Sequence, residues 1–218
     1  MVTLGIFISQ AEDDLISIFN HYNIWLWHIL LLFTAARPVA EFPGFLKNFN
    51  LKRQILMVSD KEAGGRNGFG RLIPLCSFLV EEIKKFLKFL EYFSTQIMMS
   101  HPALSDAIQQ IEASKLPFLG IIQNDEWKPL SHSTVKNFHP ELGLAHENWH
   151  RHTARAFLTH KFSEPEILAL FGHELMQQEA AHPFSSLSLS QFSKIADVLE
   201  QMKTYFKITG VEAHVITQ

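Results

Sequence analysis

The stretch His146-Glu147-Asn148-Trp149-His150 spells H-E-x-x-H. On a helix this spacing sets two imidazoles on one face as zinc ligands, with Glu147 as general base for hydrolysis. Glu174 is the best-spaced third ligand. The glycine and histidine of the longer zinc-protease pattern are replaced here by Thr153 and Ala156. The chain holds twelve histidines, so a match to so short a motif arises easily by chance. A zinc metalloprotease is therefore kept only as an alternative.

Other residues carry chemistry only as a set. Thr34-Ala35-Ala36-Arg37-Pro38-Val39-Ala40-Glu41 ends an apolar run with an arginine and places an acid four positions later. Alone, Arg37 reads as a cation at a helix C-terminus, where the macrodipole favours it. Lys61 stands in a polar, glycine-rich turn and alone reads as solvated. Asn148-Trp149-His150-Arg151-His152-Thr153-Ala154-Arg155 opens a helix, and Leu170-Phe171-Gly172-His173 closes one. Glycine and histidine at a helix end are ordinary capping residues.

In this order and spacing the pieces resemble the signature of the tyrosine recombinase (phage-integrase) family. That signature has an arginine in T-G-x-R-x-x-E, a hairpin lysine, an H-x-x-R-H-T helix, L-G-H, and then a tyrosine. The matching residues are Arg37 with Glu41 (one position late), Lys61, Arg151 with His152 and Thr153, and Gly172 with His173. The likeness runs from about Ser9 to Lys203. The resemblance implies a mostly α (α+β) catalytic domain with a small antiparallel β-hairpin sheet. It implies that Arg37 and Arg151 would stabilise charge on a DNA phosphate through permanent, bidentate contacts. Lys61 would protonate the departing 5′ oxygen, and His173 would donate a hydrogen bond to the phosphate. No metal or cofactor is needed for this chemistry. The implied partners are double-stranded DNA and a second copy or a partner recombinase on it, without a membrane.

Two further positions depart from the pattern. Asn148 stands where the family usually has histidine, and an amide donates hydrogen bonds but cannot shuttle a proton. The nucleophile position, nine residues after His173, is His182, and Pro183-Phe184-Ser185-Ser186 resembles a P-Y-S-S segment with Phe184 in place of tyrosine. The tyrosines of the chain are Tyr22, Tyr92 and Tyr205. Tyr205 would serve only through a fold-back or in trans. The sequence also starts at the catalytic domain, without the helical core-binding domain that family members carry before it. The expectation is a single domain over residues 1–218 that binds DNA and cuts it only if another hydroxyl substitutes. The alternative is a non-catalytic, regulatory relative.

The elements that must position these groups follow from periodicity. Ser9-Gln10-Ala11-Glu12 is a capping-box pattern expected to open a helix to about Tyr22, with a second, buried helix from about Asn23 to Ala36, broken by Pro38 and Pro43-Gly44. The run Ile24–Ala36 is shorter than the ~20 residues of a membrane span. Gln54–Ser59 and Leu72–Leu75 read as a hairpin around the Lys61 turn, flanked by Arg66 and Arg71, which could track a DNA backbone. Helices are expected over Phe78–Phe93, His101–Lys115, Glu147–Lys161, Glu164–Phe171 and Ser190–Phe206, and a short strand within Pro117–Gln123. Trp127–Ser131 reads as loop, with Ser131 able to cap a short helix. Trp25, Trp27, Phe33 and Leu79 read as core. Lys84, Lys85 and Lys88 read as a solvated face, and Arg155 as either a DNA-backbone contact or a surface charge.

Composition sets the outer bounds. The chain has 218 residues, 47% of them hydrophobic, and a formal net charge of -3. That is ample for a core and is not a disordered composition. Many DNA binders are strongly basic, so nucleic-acid contact here requires a local basic patch. The lone Cys76 cannot form an internal disulfide, which fits a reducing, cytoplasmic compartment.

Overall fold

The computed structural model describes residues 15–39, 41–58, 71–141, 145–171 and 189–211. At its centre is helix α1 (Leu15–Thr34). It is one continuous helix, not the expected pair meeting at Tyr22-Asn23. Asn23 does not break it, because its side-chain amide is satisfied locally: Nδ2 donates to the Phe19 carbonyl at 2.9 Å. Two buried asparagines then stitch α1 to a strand. Asn20 exchanges two hydrogen bonds with the Ile122 backbone, at 2.9 and 2.7 Å. Asn23 Oδ1 accepts from the Gly120 N–H at 3.2 Å. These bonds remove the cost of burying amides in an apolar helix. By length and composition α1 could cross a bilayer, which corrects the shorter estimate, yet it is buried within this fold from Tyr22 through Thr34. It ends where the Thr34 hydroxyl donates to the Leu30 carbonyl and Ala35 adopts a left-handed φ of 49°.

A 3-10 turn at Leu46–Asn48 leads into a three-stranded antiparallel sheet of β1 (Phe49–Asn50), β2 (Ile55–Val58) and β3 (Arg71–Pro74), in that order. The expected hairpin is present, with Val58 opposite Arg71, and β1 adds an unforeseen edge. Period-two alternation turns Leu56, Val58 and Ile73 inward.

Helix α2 (Ser77–Ile97) packs Phe86, Phe89 and Phe93 against Phe19 and Tyr22 of α1. Helix α3 (Pro102–Glu112) starts with proline at its first turn, where no N–H is needed. A second hairpin, β4 (Gly120–Gln123) and β5 (Glu126–Pro129), contains most of the segment read as loop. The signal was Asn124-Asp125, whose φ values of 54° and 57° fit a two-residue turn of the type that matches strand twist. Gly120 is required because a Cβ there would meet the Trp127 ring at 2.3 Å. Helix α4 (His132–Phe138) is capped by Ser131, which accepts from the Thr134 N–H. Then come α5 (Trp149–Leu158), α6 (Glu164–Phe171) and α7 (Leu189–Tyr205). The described chain is thus mostly helical with small antiparallel sheets. Trp25, Trp27, Phe33 and Leu79 are core residues, as expected.

Candidate functional site

Two buried arginines donate to carbonyls of the last described residues of α6. Arg71, from β3, donates to the Leu170 carbonyl. Arg151, from α5, donates to the Phe171 carbonyl at 2.5 Å and to the Ala35 carbonyl at 2.6 Å. Its guanidinium also lies over the Phe171 ring, 4.7 Å from the centroid. Both arginines are buried, at 6% and 7% exposure. Burying a guanidinium is costly unless its donors are met. Here the negative ends of α1 and α6 both face Arg151, so the macrodipoles favour the cation.

Arg151 therefore ties together three stretches far apart in sequence. Ala35 stands two residues before Arg37, and Phe171 two residues before His173. Arg71 ties a fourth, the base of the β2–β3 hairpin, to the same helix end. Arg37 is half-buried. Its guanidinium makes no hydrogen bond or ion pair with any described residue, Glu41 included, which is exposed at a left-handed φ of 63°. Asn148 is half-buried just before α5, and its side chain does not cap that helix.

The other expected site residues fall in two groups. Arg71 was expected to track a DNA backbone, but it is turned inward as a structural anchor. Arg155 is paired with Glu164 at 2.5 Å on the surface, which favours the surface-charge reading. Lys61, Arg66, Gly172, His173, His182 and Phe184 lie outside the described residues, as do Ser9–Glu12 and Glu174. Lys84 and Lys85 pair with Glu81 and Glu82, and Lys88 is exposed. Tyr22 is core, and burial pushes its hydroxyl well above the ordinary phenol range. Tyr205 is 70% exposed and packs on Phe157, six residues after Arg151 on α5. That is about 9 Å along the helix from the arginine.

The H-E-x-x-H residues do not form the helical zinc face. His146 and Glu147 are exposed and precede α5, while His150 is buried inside it. His150 Nε2 is 2.7 Å from His28 Nδ1 of α1, the two rings stacked, and the Trp149 ring also stacks on His150. Burial, and then the neighbouring His139 and His132, push His28 down to about 3. Burial, and then His28 and His132, hold His150 well below the ordinary imidazole value. One N–H···N hydrogen bond between two neutral rings thus locks the start of α5 onto α1, next to Arg151. Sequence reasoning did not single out His28 for this role. The available signal was a titratable residue in the middle of an apolar run.

No family model, curated protein or solved structure matches this chain.

Proposed function

We propose that this chain binds duplex DNA through a phosphate site of the tyrosine recombinase kind, with Arg37 as its anion-facing guanidinium. One arrangement carries the reading. The Arg151 guanidinium holds the ends of α1 and α6 together and leaves half-buried Arg37 beside that junction without a partner among the described residues. A half-buried cation with unmet donors favours an anion, and a phosphate accepts two parallel N–H bonds from one guanidinium. The anchoring of Arg71 at the same helix end brings the base of the Lys61 hairpin to the junction, and His173 follows Phe171 closely in sequence. Lys61, His173 and Asn148 complete the proposed set, with Arg151 chiefly orienting it. Strand cleavage needs a hydroxyl where the pattern has tyrosine, and His182 and Phe184 lack one. DNA binding without cutting is the reading that follows.

The test is fluorescence anisotropy with a labelled 30-base-pair duplex in low salt, wild type against Arg37→Gln. Loss of about tenfold or more in affinity is expected, the scale of a charged contact to phosphate. Equal binding by the variant, or none by wild type, refutes the proposal. Nicked duplex incubated with wild type and resolved on a denaturing gel should give no covalent adduct; an adduct lost in Tyr205→Phe would overturn the non-cutting part alone.

A further inference from the structure

Most cations described on helices α2 and α5 have an acidic neighbour. Lys84 meets Glu81 at 2.9 Å, Lys85 meets Glu82 at 2.7 Å and Arg155 meets Glu164 at 2.5 Å. The rim along β1 is different. Lys47 is exposed just before the strand and Lys52 and Arg53 in the turn after it, and no acidic residue occurs in the sequence between Glu41 and Asp60. The fold adds a fourth cation from a distant segment. The Lys47 N–H donates to Ser114 Oγ at 2.9 Å, which brings exposed Lys115 to the same rim. None of these four side chains makes an ion pair with a described residue. Glu112, at the end of α3, is the nearby acid in sequence, and it too is exposed and unpaired among the described residues.

Hydrogen bonds hold the turn after β1. Asn50 Oδ1 accepts from the Arg53 N–H at 3.0 Å, and the Gln54 carbonyl accepts from the Leu75 N–H at 2.7 Å. Lys47 lies 5.1 Å from the centre of the Phe45 ring. A fixed backbone lets several cations present charge together without a large ordering cost. The turn sits at one end of β2, and Val58, opposite Arg71, is at the other. Three residue steps along a strand span about 10 Å. Lys52 and Arg53 therefore sit at the end of β2 away from Arg71, while Lys47 precedes β1 on the side nearer Val58.

We propose that Lys47, Lys52, Arg53 and Lys115 form a second phosphate-contacting surface that grips the duplex backbone. The proposal rests on the DNA-binding reading above and names a surface that reading did not include. It also answers the charge problem, because a chain of net charge -3 can hold DNA if its unpaired cations are gathered on one rim. Such contacts position a duplex without reading its sequence.

The experiment uses the full chain with all four residues changed to glutamine (K47Q/K52Q/R53Q/K115Q), and K84Q/K88Q as a control on another face. Binding to the labelled duplex is followed by anisotropy between 50 and 200 mM salt. Each phosphate contact contributes about 0.9 to the slope of log K against log salt, so the fourfold variant should lose about 3 to 4 from that slope. The control should keep the wild-type slope. All four residues are exposed, so the urea midpoint should stay at the wild-type value, and Lys52→Gln alone should lower the slope by about 1. An unchanged slope in both variants, with Arg37→Gln still weakening binding, overturns the rim and leaves the Arg37 site standing. No duplex binding by wild type at 50 mM salt overturns both.

Discussion

Acidification should destabilise this protein through one buried pair, His28 and His150. The rings are 6% and 3% exposed. His28 Nε2 and His150 Nδ1 have no hydrogen-bond partner among the described residues. Folding holds His28 near 3, against 6.5 for a free imidazole. The unfolded chain therefore binds the extra proton first, and stability rises with pH through that window. It is complete above about pH 6.5 and declines as pH falls towards 3. At pH 5 the unfolded state gains about 2 kcal/mol from His28 alone, from RT ln(1 + 10^1.5). His150 is shifted in the same direction and adds to the loss. Against a total stability of roughly 5–15 kcal/mol, that is a large fraction. The assay is urea unfolding at pH 8 and pH 5 for wild type and for His28→Phe/His150→Phe, which keeps ring stacking but cannot titrate. Wild type should lose at least about 2 kcal/mol more than the double variant on acidification. His21, also shifted down by burial, stays in both proteins and cancels. Parallel losses, within about 0.5 kcal/mol, would show that the pair is not held neutral in the fold and would refute the reasoning.

Arg151→Met keeps much of the apolar stem but strips the donors from the Ala35 and Phe171 carbonyls, so urea unfolding should show a loss of about 3 kcal/mol. Arg37→Gln, with no described partner to lose, should change stability by less than about 0.5 kcal/mol. Glu82 is buried, accepts from the Val211 N–H at 3.0 Å, and would lie 2.2 Å from a Cβ at position 210. Gly210→Ala should therefore cost about 1–3 kcal/mol in the wild-type background. It should cost close to nothing after Glu82→Ala removes the obstacle, a non-additivity that urea unfolding of the four proteins would read directly.

The elements visible in the sequence were those set by local pattern. The apolar spacing of α2, the alternation of β2 and β3, and the Ser131 cap all act within a few residues, and all three are in the structure. Continuity of α1 was not visible, because Asn20 and Asn23 look like breaks until Gly120 and Ile122 arrive from a hundred residues away to bond them. The strand Glu126–Pro129 was missed for a similar reason. Its sequence, Glu-Trp-Lys-Pro, has weak strand character, and it is held by pairing with β4. At the site, Arg37 and Arg151 could be singled out by type and spacing. What each guanidinium touches could not.

That distinction decides how a motif arginine should be read. Arg37, Arg71 and Arg151 carry the same group, and sequence spacing treats each as a candidate for phosphate. The helix ends sort them. The Leu170 and Phe171 carbonyls of α6 accept from Arg71 and Arg151, and the Ala35 carbonyl just after α1 accepts from Arg151. Arg71 and Arg151 turn inward to these, and the bonds offset the cost of burying a guanidinium. Arg37 lies just beyond one of the same ends and is left facing none of them. The two inward arginines fix the junction, and Arg37 keeps no partner among the described residues. The same logic sets apart the opposite end of β2, where Lys52 and Arg53 have neither carbonyl nor carboxylate to satisfy them among the described residues.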